Sequence, residues 1–310
     1  MSEEIEVKIE KIPVLRNIAH ILKRKRLKFL NNNSVYDLLE LFGVGIYESG
    51  LTYHASAIAF SFFMSLFPFA LFILNLIPFI PIAGFQSDFL HFVEASVPPN
   101  TFDAIEHIIN DILHNSHSGL LSTGFILSIF LMSNGISGVL GGFESQDHVK
   151  VKRGFFRQYL AALGLSLLLS FLLLVTIATI VIFEILIRKF LPSDVLNEYI
   201  SLIIIGRYIF AIIMILLTIS ILYKYGTKRD RERSLITVGS IFTTVLIIID
   251  SYIFGIWVVK FSRYNELYGS IGTLLILMFY IWINCLILLL GFELNAMINE
   301  LKNRTPSTSF

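Results

Sequence analysis

Residues 159–183 read YLAALGLSLLLSFLLLVTIATIVIF, twenty-five positions without one charge. A helix crossing the hydrocarbon core of a bilayer needs about 20 mostly apolar residues, and at 1.5 Å per residue this stretch is long enough. It shows no alternation of apolar and polar side chains, so it does not read as a strand of a membrane barrel. Lipid offers no partners to backbone N–H and C=O groups, so such a segment has to be a helix. Five more stretches have the same character: 55–82, 119–142, 201–223, 235–259 and 270–296. The six together hold 152 of the 310 residues. The predicted fold is an all-α integral membrane protein with six transmembrane helices.

Composition agrees. Hydrophobic residues make up 55% of the chain and charged residues only 15%, more apolar surface than a soluble globule of this size can bury. That excludes a disordered chain and an ordinary cytosolic enzyme. The single Cys285 excludes an intrachain disulfide and any multi-cysteine metal site. The chain opens MSEEIEVKIE and stays polar for fifty residues, unlike a cleaved signal peptide.

Lysine and arginine set the orientation. Segments 1–54, 143–158, 224–234 and 297–310 hold nineteen, whereas 83–118, 184–200 and 260–269 hold four. The positive-inside rule therefore predicts that both termini are cytoplasmic. Loop 83–118 has no Lys or Arg and five acids, as a translocated loop would. Three parts follow: a basic, amphipathic N-terminal segment over 1–50, a membrane domain over 51–300 and a short cytoplasmic tail over 301–310.

Amphipathic helices are expected outside the spans. Residues 13–30 place Val14, Ile18, Ile21 and Leu22 on one face beside the cations Lys23 to Arg26, a pattern suited to an anionic leaflet or to a solvated arm. Residues 34–49 begin at a capping Ser34 and read as an interfacial helix feeding the first span. In the first outer loop, a helix over about 101–115 puts Asp103, His107, Asp111 and His114 on its polar face. That spacing suits a divalent metal, or simply the wet side of a surface helix.

Polar groups at membrane depth are the candidate site. Arg207 lies six residues into the fourth span and Asp250 nine residues from the outer end of the fifth. Buried charge is expensive there and is retained for a reason. Counted from the outer ends, their depths differ by roughly 4–5 Å, so the two are expected to face each other or one cavity. They form either a substrate or proton site or a neutralising clamp, with Arg207 snorkelling alone as the other structural reading. Asn75, Asn134 and Asn284 are mid-span amides that join helices or line a cavity. Pro68 should kink or break the first span, with Ser61 and Ser65 satisfying freed backbone groups. Ser133, Ser137 and Gly141, with Gly138 and Gly142, form a small-residue seam for close helix packing.

No phosphate-binding Gly-rich loop and no HExxH pattern is present, so the expectation is a non-enzyme without cofactor, metal or nucleic-acid partner. The runs HASAIAFSFFMSLFP at 54–68 and YGSIGTLLILMFYIWINCLILLLGFELNAM at 268–297 resemble the YihY / virulence factor BrkB family of bacterial inner-membrane proteins. The motif residues are Ser65 and Pro68 in the first run. In the last they are Tyr268, Gly269, Gly272, Gly291, Glu293, Leu294 and Asn295. His54 stands where the family usually has Arg. The resemblance implies six spans and a role in envelope physiology, with export of lipid or solute among the readings. The family's old ribonuclease label is not carried over, because metal-dependent RNA cleavage needs His and Asp clustered on a phosphate-accessible face. Transport of an amphiphile or small solute, with anionic membrane lipids as the expected partners, is the first functional reading. A non-transporting scaffold or envelope-assembly protein is the alternative.

Overall fold

The computed structural model describes residues 34–48, 50–77, 85–96, 106, 120–145, 153–190, 193–227, 234–260 and 270–303. Eight helices account for nearly all of them: α1 Val35–Glu48, α2 Leu51–Leu76, α3 Phe85–Ser96, α4 Leu120–Glu144, α5 Phe155–Phe190, α6 Ser193–Gly226, α7 Val238–Lys260 and α8 Ser270–Asn303. No sheet is found among the described residues. Four apolar stretches are long enough to cross a membrane: Phe155–Phe183, Ile203–Gly226, Val238–Val258 and Leu274–Lys302. In an apolar window of eighteen residues within each, only 11–28% are buried within the protein, so an apolar medium must cover the rest. Helix α2 overlaps the first expected span over 55–76 and α4 the second over 120–142, but neither is among the four stretches long and apolar enough to cross. The expected helix over 13–30, and all of that over 101–115 except residue 106, including Asp103, His107, Asp111 and His114, lie outside the described residues. So do the tail beyond 303, Tyr268 and Gly269.

Two compact units divide the chain. The first contains α1, the start of α2, the last turn of α4, α7 and α8. Ser34 and Asp37 cap α1 reciprocally: Asp37 N–H donates to Ser34 Oγ (3.1 Å) and Ser34 N–H to Asp37 Oδ2 (2.8 Å). One turn on, Leu38 and Leu41 pack with Leu294 against Ile298 and Leu301 of α8. Gly50 has φ +57°, a left-handed conformation that costs a glycine little, and it lets the chain turn from α1 directly into α2. His54, in the second turn of α2, brings Nδ1 within 3.2 Å of Ser145 Oγ at the end of α4.

The second unit contains the remainder of α2, α3, most of α4, α5 and α6. Helix α3 was not among the predicted elements. Its Phe85 and Phe89 are buried with Ile77 and Val181, with Leu90 and Val93 packed beside them. The small-residue seam of α4 is intramolecular. Ser133 Oγ lies 3.2 Å from Ser166 Oγ of α5. A Cβ at Gly138 would come within 3.0 Å of Ser61 Cβ, and one at Gly135 would collide with the Ser65 hydroxyl, so α2 and α4 approach closely there. Helix α2 runs through Pro68 without a break, which corrects the expected break and leaves the alternative, a kink, in place. Ser61 Oγ donates to Ala57 O and Ser65 Oγ to Phe62 O. Neither acceptor is the Met64 carbonyl, the one that Pro68 deprives of its helical donor.

Candidate functional site

Helices α7 and α8 pair along their length in the first unit and carry three polar or aromatic stations. Gly239 meets Asn295, and eleven residues further along each helix Asp250 meets Asn284. Eleven residues are just over three turns, about 16 Å, so one face of each helix supplies both contacts.

At one end, the family-like motif Gly291-x-Glu293-Leu294-Asn295 organises a helix junction. Asn295 Oδ1 accepts the Gly239 N–H at 2.8 Å, and its Nδ2 donates to Thr237 Oγ1 at 2.9 Å. Thr237 Oγ1 also accepts the Ser240 N–H, at 3.2 Å. Two first-turn donors of α7, which have no partner inside their own helix, are thereby satisfied. Gly239 can be nothing larger: a Cβ would strike the Gly291 carbonyl and lie 2.6 Å from Asn295 Cγ. Glu293 is completely buried. Its carboxyl group occupies the space that Gly45 of α1 leaves open, since a Cβ at Gly45 would fall 2.5 Å from Glu293 Oε1 and from Met297 Cε. Phe292 stacks on Phe143 of α4 with centroids 4.4 Å apart and planes within 8°. Gly272, at the far end of α8, is buried.

The middle station holds the carboxylate. Asp250 is half-buried, twelve residues from one end of the apolar stretch Val238–Val258 and eight from the other, hence near its middle. Asn284 Nδ2 donates to Asp250 Oδ2 (3.2 Å) and to Tyr280 O (2.9 Å). One turn away, Ser251 Oγ and Tyr280 Oη share a hydrogen bond of 2.7 Å. Beyond it Phe254 lies 4.7 Å from the Tyr280 ring and 5.4 Å from Trp257, and Phe279 stacks on Trp282 at 5.8 Å. Aromatic clusters of this kind are enriched at membrane–water boundaries.

Of the predicted intramembrane residues, Asp250 and Asn284 come together. Arg207 and Asn134 belong to the second unit, both at exposed positions, on α6 and α4. Arg207 is four residues, about 6 Å, from the Ile203 end of its apolar stretch, and its guanidinium lies 6.0 Å from the Tyr208 ring centroid. Sequence reasoning did not single out Gly45, Gly239, Thr237, Ser251 or Tyr280. The Thr-x-x-Ser pattern at 237–240 was a readable cap signal; the others depend on long-range packing. Among the described residues, no group of three or more His, Cys, Asp and Glu could share a metal ion.

Comparison with known proteins gives a consistent picture. The family described as virulence factor BrkB matches residues 45–309. A protein of Bacillus subtilis (strain 168) named as ribonuclease-like, YfkH, is 28% identical over 268 residues, covering 86% of this chain and 96% of that protein. A UPF0761 membrane protein of Alteromonas mediterranea is 23% identical over 288 residues, covering 89% and 93%. No solved structure matches the chain.

Proposed function

This chain belongs to the virulence factor BrkB family of membrane proteins, and we propose that it is a transporter-like protein of the bacterial inner membrane that moves a lipid or small amphiphilic solute. In this reading α2 and α4 to α8 are six spans, and both termini are cytoplasmic. The nineteen-to-four split of lysine and arginine supports that threading.

The observation that carries the proposal is the Asp250–Asn284 pair, held between two apolar helices close to mid-span. A carboxylate there costs about 2.5–3.5 kcal/mol to insert. A protein that needed only helix glue could use two amides. Asp250, half exposed, takes up and releases a proton or cation as cargo passes, and Asn284 holds its orientation. The basic connectors draw anionic headgroups to the cytoplasmic face.

Purified protein in liposomes, followed with labelled phospholipids and small amphiphiles, tests this. The proposal expects movement above protein-free vesicles and its loss in Asp250→Asn with insertion intact. No movement across a broad panel would refute it.

The scaffold reading has one observation in its favour. Gly291, Glu293 and Asn295 are spent on helix packing, so the most distinctive motif builds a junction. It predicts stable co-purifying proteins and full function in Asp250→Asn. We assign no catalytic role. The ribonuclease-like name belongs to the Bacillus subtilis relative; cleavage of RNA by the purified chain, abolished by Asp250→Asn or Glu293→Gln, would overturn that assignment.

A further inference from the structure

Helix α5 begins with an unusual surface. Phe155 and Phe156 are 78% and 86% exposed and meet edge to face at 5.7 Å. Arg157 and Leu160 are exposed beside them, and Gly164, Leu167 and Leu168 continue the stripe at helical spacing. A Cβ at Gly164 would touch nothing within 4 Å, so the stripe has a notch there. Just before the helix, Arg153 is engaged elsewhere. Its Nη1 donates to Gly226 O (2.9 Å) and its Nη2 to Tyr225 O (3.0 Å), clamping the last turn of α6. Among the described residues nothing pairs with Arg157.

These features match the shape and charge of one lipid. The apolar stretch starts at Phe155, so Arg157 sits at headgroup level. From Arg157 to Leu167 is ten residues, about 15 Å, the thickness of one leaflet's hydrocarbon. A guanidinium offers several donors in a planar fork that suits a phosphate, and it is an unlike charge to a phosphodiester. Ring faces at this level lie against the upper acyl segment, and the Gly164 notch admits a chain against the helix.

We propose that this stripe is a binding site for an anionic phospholipid, its phosphate on Arg157 and one acyl chain along Leu160, Gly164 and Leu167 between the exposed phenylalanines and mid-membrane. The site requires the membrane location alone and operates whether or not the protein transports anything.

Native mass spectrometry of the detergent-solubilised full chain, titrated with phosphatidylglycerol and with phosphatidylcholine, reads the site directly. The wild type should retain phosphatidylglycerol in preference. Arg157→Ala should lower that adduct about fivefold, the share of one interfacial cation, and leave the phosphatidylcholine adduct unchanged. Arg157→Lys, which keeps the charge, should retain part of the preference and shows that the fold tolerates change here. Phe155→Ala with Phe156→Ala should weaken both lipids. Equal retention of the two lipids by the wild type, or an unchanged adduct in Arg157→Ala, would overturn the proposal. Displacement by inorganic phosphate would reduce the site to a plain anion contact and overturn it as well. A change in dimer fraction without any change in lipid adducts would make the stripe a contact between two copies instead.

Discussion

Replacing Asn295 with Leu keeps the side chain's bulk and removes both of its hydrogen bonds. The Gly239 N–H is then left buried in the first turn of α7, where neither its own helix nor water can reach it. An orphaned buried donor costs about 1–3 kcal/mol. The lost bond to Thr237 Oγ1 adds less, about 0.6 kcal/mol on the average of polar contacts within membranes. The orphaned amide dominates, and the two losses together come to about 2–4 kcal/mol. For a large domain each kcal/mol lowers the melting temperature by about 2–4 °C, so Asn295→Leu should melt about 3–14 °C below the wild type. Tryptophan fluorescence is the appropriate probe. The chain has two tryptophans, Trp257 and Trp282, and both lie on the α7–α8 pair whose junction is perturbed. A variant melting within about 1 °C of the wild type would refute the claim that Asn295 caps α7.

Three further outcomes follow from the same geometry. Gly45→Val should push α1 off α8, because its side chain must enter the space of the Glu293 carboxyl; limited proteolysis should then cut within 34–48, and equal resistance to the wild type would count against that docking. Arg153→Ala should free the Tyr225 and Gly226 carbonyls and destabilise by about 1–3 kcal/mol, read as faster amide exchange at the end of α6, where an unchanged rate would remove the clamp from the account. Asn284→Leu should remove the donor that Asp250 Oδ2 accepts from and lower the melting temperature by leaving that carboxylate without its partner; a variant melting with the wild type would count against the pairing.

Apolar stretches are the part of this fold most readable from sequence. The last four expected spans fall largely on helices long and apolar enough to cross a membrane, some with helical ends beyond the apolar run, as when 159–183 becomes Phe155–Phe190. Runs of apolar residues report what lipid demands of backbone and side chains, and polar flanking turns cost nothing to extend. The cap at Ser34 was equally legible because its partner is three residues away. Helix α3 was missed although Phe85, Phe89, Leu90 and Val93 follow helical spacing, because loop 83–118 was read for its charge and its amphipathic helix was placed at 101–115. Gly43 and Gly45 show where legibility stops. They look alike in FGVGIY, yet a Cβ at Gly43 meets nothing and one at Gly45 meets Glu293. Asp250 was recognised by its charge, but its partner Asn284 follows from the register of α7 against α8, which depths counted from span ends do not reveal.

The threading of the chain is the claim on which the proposed transport rests, and the lone Cys285, buried in α8, makes it accessible to labelling. Single cysteines replace Ser87, exposed on α3, and Lys302, exposed at the end of α8, in a Cys285→Ser background. An impermeant maleimide should label position 87 in intact cells and position 302 only after the membrane is opened. Labelling of position 302 in intact cells, with position 87 shielded, would contradict the account.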